Sequence, residues 1–265
     1  MTPEDFRRVF DRLTSHGIEP ATLHNLERVC IALQTGDAPT LGRLDGSRFG
    51  GQPFAPEDFG WPEPSGDHLP EGAEYTFFAQ IAFGEIPDPR DILPHEGLLL
   101  LFRLIDPEGM VSSVMPGYVH GVFFPGTDRD GFRLHEVPQS RAYRNFVGYM
   151  IDATAAEHGF DITATAGTGL PMMSSDLADS GLTDDQIDTL TDLVSDHTSN
   201  HMLGYPWHNS LIESPVPSED HVLLFSLEAC DELGWEWPDG DTLSVFIEQA
   251  KLTAGDFSVL DAAAG

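Results

Sequence analysis

Two stretches of this chain, far apart, run through the same order of elements, and that order constrains the fold most. Ser47-Arg48-Phe49-Gly50-Gly51-Gln52-Pro53 is followed by the apolar run Phe77-Phe78-Ala79-Gln80-Ile81-Ala82-Phe83, a Pro/Asp loop, and Glu96-Gly97-Leu98-Leu99-Leu100-Leu101-Phe102. Later, Asn200-His201-Met202-Leu203-Gly204-Tyr205-Pro206 leads to Val222-Leu223-Leu224-Phe225-Ser226-Leu227, an acidic loop, and Asp239-Gly240-Asp241-Thr242-Leu243-Ser244-Val245-Phe246-Ile247. Pro53 and Pro206 lie 153 residues apart, and Gly97 and Gly240 lie 143 apart. Similar offsets with drifting loops are what an old internal duplication leaves, each half a β-rich unit burying its apolar face against the other.

Charge comes next. Forty-four acidic residues face 13 basic ones, giving a formal net charge of −31, and Lys251 is the sole lysine. Such a surface repels phosphate backbones and anionic lipid, so nucleic acid and membrane are excluded as partners. A basic protein or a small-molecule ligand remains. The acidity also fits a solubility surface in a salt-adapted setting, where carboxylate repulsion is screened. At 265 residues, 40% of them hydrophobic, the chain can bury a full core.

The first residues lack a basic stretch followed by an apolar one, so no signal peptide is expected, and no apolar run is long enough to span a bilayer. Cys30 and Cys230 are the two cysteines, and neither lies in a Cys-x-x-Cys pair. Together these predict a cytoplasmic, reduced protein.

Along the chain, Thr2 and Pro3 open a helix carrying Phe6, Val9, Phe10 and Leu13 at helical spacing up to Gly17. A second helix is predicted from Pro20, with Leu23, Leu26, Val29, Cys30 and Leu33 on one face and Gly36 as its stop. Short apolar runs punctuated by Gly and Pro then read as strands from Gly42 to Pro138, with Leu98–Ile105 a central strand. Ser140 caps a third helix ending at Gly159, Gly167-Thr168-Gly169 reads as a turn or a close approach, and Thr183-Asp184-Asp185-Gln186 is a capping box. The expected organisation is a helical segment 1–40, a β-rich unit 41–138, a helical connection 139–200 and a second β-rich unit 201–265. Helices and strands are segregated, so the predicted class is α+β, mostly antiparallel sheet, with N-terminal and central helices around two related units in one body.

The pieces SRFGGQPF, FFAQIAFGEIP, LPHEGLLLLF, HMLGYPW, LLFSLEACDELGWEWPDGD and LTAGDFS, taken in order, resemble the YwqG-like family of bacterial domains of unknown function. The resemblance runs from about Ser47 to Ser258 and implies an α+β fold around antiparallel sheet, with no established activity. The chain departs from that pattern at Pro238, where the family usually shows Gly, and in its tail from Val259 to Gly265.

Candidate chemistry is sparse. His197, His201 and His208 are candidate metal ligands, the first two four apart and sharing a face if the fourth helix reaches them. Against that stands a plainer role, satisfying carbonyls at a helix end. Glu228, Asp231, Glu232, Glu236, Asp239 and Asp241 crowd one loop with Trp235 and Trp237, a set suited to calcium or magnesium, although the spacing is not that of an EF-hand. Candidate ligand-binding residues are Arg48, Gln80, Trp235, Trp237, Asp239 and Asp241, which a cleft between the units would bring together. No nucleophile elbow or phosphate loop is present, catalytic residues are unassigned, and no cofactor is predicted. The sequence reading is a non-catalytic binding or interaction protein, such as an acidic inhibitor or immunity-type protein. The alternative is a small-molecule-modifying or hydrolytic enzyme using that cleft. Oligomeric state has no sequence signal.

Overall fold

The computed structural model describes residues 1–106, 111–138, 153–196, 200–207, 215–237 and 242–265. Helix α1, Pro3–Ser15, starts as its sequence dictates: the Thr2 side chain accepts from the Asp5 N–H, Pro3 takes the first turn, and Glu4 and Asp5 meet the positive end of the dipole. Val9 and Leu13 face inward. Gly17, at φ +85°, then turns the chain through a conformation that side chains with a Cβ resist.

Helix α2 spans Pro20–Leu26 and stops there, short of the expected Gly36. Glu27 turns extended, at ψ 134°, and Arg28–Thr35 is strand β1. The reason lies in Val29-Cys30-Ile31-Ala32-Leu33, apolar at every position. A helix would bury one stripe of it, whereas a strand with the core against one face and a helix against the other buries both. Cys30, Ile31, Ala32 and Leu33 are all buried.

The remaining elements in chain order are β2 (Arg48–Phe49), β3 (Phe54–Pro56), β4 (Glu74–Ala82), β5 (Leu98–Ile105), β6 (Val119–Phe124) and β7 (Phe132–Leu134). Then come α3 (Ala153–His158), β8 (Phe160–Gly169), α4 (Ser174–Leu177), α5 (Asp184–Ser195), β9 (His201–Leu203), β10 (His221–Glu228), β11 (Thr242–Glu248), α6 (Gln249–Ala254) and β12 (Asp261–Ala264). The class is α+β, with antiparallel pairing throughout the ladders.

Ten strands form one sheet in the order β12-β11-β10-β9-β1-β8-β2-β4-β5-β6, and β3 pairs with β7 apart from it. Both middle strands come from segments expected to be helical. Gly167 and Gly169 lie inside β8, not in a turn. The close approach expected there does occur, since a Cβ on Gly167 would stand 2.0 Å from the Met1 carbonyl oxygen. Of the third helix, Ala153–His158 is described and Gly159 ends it at φ +71°; the Ser140 cap and the residues up to 152 lie outside the described residues.

The sheet is nearly closed. The Ala264 N–H at one end of the strand order donates to Ser113 Oγ beside the other, at 2.9 Å, and Phe123 of β6 meets Phe257 with centroids 5.1 Å apart. Inside lies one apolar core to which β2, β4 and β5 contribute Phe49, Phe78 and Leu101, and β10 and β11 contribute Leu227 and Val245. A second cluster, including Val9, Leu13, Leu23, Leu190 and Val194, lies under the helices. Leu98–Ile105 is a strand paired on both sides and buried at seven of its eight residues, as its apolar run predicted. The capping box at Thr183 forms on both sides, and α5 turns Leu190, Leu193 and Val194 inward.

Candidate functional site

Arg48 and Gln80 face each other across β2 and β4, and both are buried. Arg48 donates to the carbonyls of Leu44 at 2.9 Å and Gln52 at 2.6 Å, and to Gln80 Oε1 at 3.2 Å. Gln80 Nε2 donates to Leu44 O and Gly46 O, while its Oε1 also accepts from the Phe54 N–H. A guanidinium bound by carbonyls alone stays poorly solvated, and burial lowers its pKa to about 10, with Asp161 and Asp45 pulling the other way. Together the two side chains clamp the chain from Leu44 to Phe54.

The tryptophans lie elsewhere. Successive strand residues point to opposite faces, so Phe49 points away from Arg48. It is Phe49 that packs on Trp235, at 5.2 Å between centroids. Trp235 and Trp237 lie 5.3 Å apart, both buried, with exposed Glu236 turned outward between them. Arg103 of β5 stacks on Trp237 at 5.0 Å and donates to the Glu236 carbonyl at 2.9 Å. Nearby, Thr76 opposes Arg103 across the ladder. Thr76 Oγ1 and Trp237 Nε1 are buried without a hydrogen-bond partner. The structure therefore places Arg48 with Gln80 and Trp235 with Trp237, on opposite faces of β2. Asp239 and Asp241 lie outside the described residues.

The histidine expectation changes. Helix α5 ends at Ser195, and His201 is on β9, so a shared helical face with His197 does not form. Gly204, at φ +81°, and Pro206 belong to the turn after that strand. His201 Nε2 donates to the Tyr205 carbonyl at 2.9 Å; a carbonyl can only accept, which fixes the proton on that nitrogen. His197 and His208 lie outside the described residues. Among the described residues, no three His, Cys, Asp or Glu side chains converge as a metal-holding group. In the acidic loop, Asp231 and Glu232 start a short 3-10 turn and are exposed.

His201 does line a cavity of about 40 Å³ where the helices meet the sheet. Its walls include Cys30 of β1, Leu170 and Met172 after β8, Val194 of α5, and Tyr205 and Trp207 after β9. Trp207 Nε1 is buried and unpartnered. Tyr205 donates to the Leu26 carbonyl at 2.9 Å and carries Arg28 over its ring at 4.0 Å. The Asp176 charge also reaches Tyr205, whose pKa is raised mainly by burial. Burial pushes the Asp176 carboxyl up, Arg28 opposing, and its Oδ2 has no hydrogen-bond partner. The Cys30 thiol is pushed up by burial too, with the chain's ammonium working against it, which leaves little thiolate for nucleophilic chemistry.

Sequence reasoning missed this cavity. Its parts are Cys30, Val194 and the turn Tyr205-Pro206-Trp207, and only the pairing of Cys30 with Leu203 across β1 and β9 joins them. Tyr205 and Trp207 stood in a quoted motif, yet nothing local says what they face.

Residues 47–261 match the model of a family described as a domain of unknown function (DUF1963), and the chain belongs to that family. No curated protein matches it. Cys30 and Arg28 of the cavity region precede the matched stretch. No helix among the described residues is long and apolar enough to cross a membrane.

Proposed function

We propose that this chain works by binding rather than by catalysis, and that its partner is a basic protein surface, as for an acidic inhibitor or immunity-type protein. One observation carries the reading. The outer face of α5 presents Asp184, Asp185, Asp188 and Asp192, with Asp196 at its C-cap, all exposed, and no lysine or arginine lies on the helix. Like charges at this spacing destabilise a helix by about 0.2–0.5 kcal/mol per pair. Three basic side chains elsewhere are engaged: Arg43 with Asp45 and Glu85, Lys251 with Glu248, and Arg48 with buried carbonyls. A partner's cations would relieve the repulsion and hasten association in a salt-dependent way. Two free cysteines suit the reducing cytoplasm this reading assumes.

Affinity capture at about 0.05 M and about 1 M salt tests it, followed by reconstitution with the recovered protein. The expected result is one stoichiometric basic partner, lost at high salt. Recovery of none at either salt defeats the reading.

A second reading is a small-molecule site where Trp237 packs on β4 and β5. The observation favouring it is the pair of unpartnered buried donors, Thr76 Oγ1 and Trp237 Nε1, beside the Arg103 guanidinium. Buried polar groups are normally satisfied, so this pair suits an acceptor on a ligand. Quenching of tryptophan emission by small carboxylates, lost in Thr76→Val, is the expected sign. An unchanged spectrum across such a panel removes it.

We also read the sheet as two related halves that exchange their first strands, β1 pairing with β9 and β8 with β2. Support comes from matched irregularities. A bulge interrupts β4 between Phe77 and Ala79 and β10 between Leu223 and Phe225. Gly50 and Gly51 follow β2 at φ +69° and +72°, while Leu203 and Gly204 lie at +58° and +81° on β9 and just after it. Overlaying β2-β4-β5-β6 on β9-β10-β11-β12 in an experimental structure tests it, and a different strand path in the two would end it.

A further inference from the structure

We propose that Ser218 is an activated nucleophile that accepts an acyl group from an uncharged activated ester, with His221 as its general base and Asp261 positioning that base. The step goes beyond the reading of a binding protein and does not rest on it. It leaves the chain modified and uses none of the carboxylates of α5.

The geometry is built at one end of the sheet. Alternation along β10 puts His221 on the same face as Leu223, and alternation along β12 puts Asp261 on the same face as Ala263. Leu223, Phe246 and Ala263 form a small apolar cluster there, and Val216 packs against it, two residues before Ser218. The turn into β10 closes with the His221 N–H donating to the Ser218 carbonyl at 3.0 Å, while the Gln249 N–H donates to the Asp220 carbonyl at 2.9 Å. Three side chains meet as a result. Ser218 Oγ lies 2.8 Å from His221 Nδ1, and His221 Nε2 lies 3.1 Å from Asp261 Oδ2.

The carboxylate settles where the protons go. Asp261 can only accept, so in the neutral imidazole Nε2 carries the proton and Nδ1 is bare. Nδ1 therefore accepts from the Ser218 hydroxyl. These are the roles of a Ser-His-Asp triad, with the two ring nitrogens exchanged. The His221 side chain is 13% exposed, whereas Ser218 is open to solvent, so the base is sheltered and the nucleophile accessible. The Asp220 N–H donates to Ser218 Oγ at 3.3 Å and stabilises negative charge on it. The N–H groups of Ser218 and Glu219 make no hydrogen bond among the described residues, which leaves donors beside the nucleophile for a developing oxyanion. In the step, Ser218 Oγ bonds to the acyl carbon and its proton passes to His221 Nδ1. The ester C–O bond then breaks, and the departing alkoxide takes that proton. Nothing is oxidised or reduced. Glu219 and Asp220, exposed beside Ser218, repel an anionic donor and favour an uncharged one.

The test uses the full chain and two probes, a fluorophosphonate and 4-nitrophenyl acetate, read by intact mass and peptide mapping. The fluorophosphonate forms a P–O bond to Ser218 as fluoride leaves. The expected result is one adduct, on Ser218, absent in Ser218→Ala. A positioned general base is worth about 10²–10⁴-fold, so His221→Ala should slow labelling at least 100-fold. Should that variant fail to fold, Asp261→Asn, at a half-exposed side chain, should slow it at least tenfold at an unchanged melting temperature. The ring ¹⁵N shifts of His221 should then lose the signature of a proton fixed on Nε2. The acetate ester should acylate at least tenfold faster than the 4-nitrophenyl monoester of succinate, which carries a free carboxylate. Labelling no faster than in a peptide of residues 216–223, labelling at another side chain, or a rate unmoved by both substitutions means that these contacts only hold the turn, and overturns the proposal. A faster reaction with the succinate ester overturns the class of donor.

Discussion

Ser47 and Asn200 make the same two bonds on opposite flanks of the sheet. Ser47 Oγ accepts from the Ala82 N–H at 3.0 Å and Asn200 Oδ1 from the Glu228 N–H at 2.8 Å. Their carbonyls accept from Ile162 of β8 and Leu33 of β1, at 3.0 and 2.7 Å. Each residue thus ties the end of a long strand to the middle of the sheet. Ser47→Ala and Asn200→Ala should each lower stability by about 1–2 kcal/mol in urea unfolding, since each orphans a strand-end N–H. A loss from one alone would mean that the two flanks are not held alike.

Gln80 satisfies four groups at once, Arg48, the Phe54 N–H, Leu44 O and Gly46 O. Gln80→Leu keeps the bulk and removes every bond, leaving a poorly solvated cation in the core. Denaturant midpoints should show a loss of about 3–5 kcal/mol, the range for breaking a buried charged network. A loss below about 1 kcal/mol would mean that the loop carbonyls suffice for Arg48.

Asp176 should make stability fall with rising pH. Burial lifts its carboxyl above the ordinary 3.8 in the folded state, Arg28 opposing, so the folded protein holds this proton more tightly than the unfolded chain. Its contribution is full below the ordinary value and disappears as pH climbs through the raised one. Asp176→Asn should therefore stabilise the protein at neutral pH by well under 1 kcal/mol, given its partial exposure, and by nothing in strong acid. Thermal melts across that range would show the wild-type and variant curves parting as pH rises.

Cys230 should be a slow nucleophile. Burial first, and then Glu232, whose carboxylate accepts from the thiol at 3.4 Å, push its pKa from 9.0 to about 11. At pH 8 the thiolate fraction falls roughly 100-fold below that of a thiol at 9.0, and since the more basic thiolate is the better nucleophile, alkylation should slow by roughly 10-fold or more. Following iodoacetamide labelling by mass spectrometry checks it. Labelling as fast as in a short peptide would contradict the half-buried setting beside Glu232.

Local chemistry was legible from the sequence alone where one segment carries its own signal. Thr2 with Pro3 wrote the start of α1, Thr183 with Gln186 wrote that of α5, and the unbroken Leu98–Ile105 run wrote a doubly covered strand. Gly50 and Gly51 both adopt a positive φ, which a glycine pair permits. Tertiary pairing decided what those signals could not. Val29 to Leu33 fits a helix face or a central strand equally well when read by itself; β8 and β9 settle it as a strand by offering backbone partners at both edges, while the core covers Ile31 and Leu33 on one face and α5 lies beside Cys30 on the other. The same holds for the site. Arg48, in a glycine-rich turn, and Gln80, in an apolar run, read as candidate ligand-binding groups until the fold returned the Leu44–Phe54 chain upon them. The cavity beside Trp207 exists only because β1 brings Cys30 to Leu203, a contact between residues some 170 positions apart that no local pattern encodes.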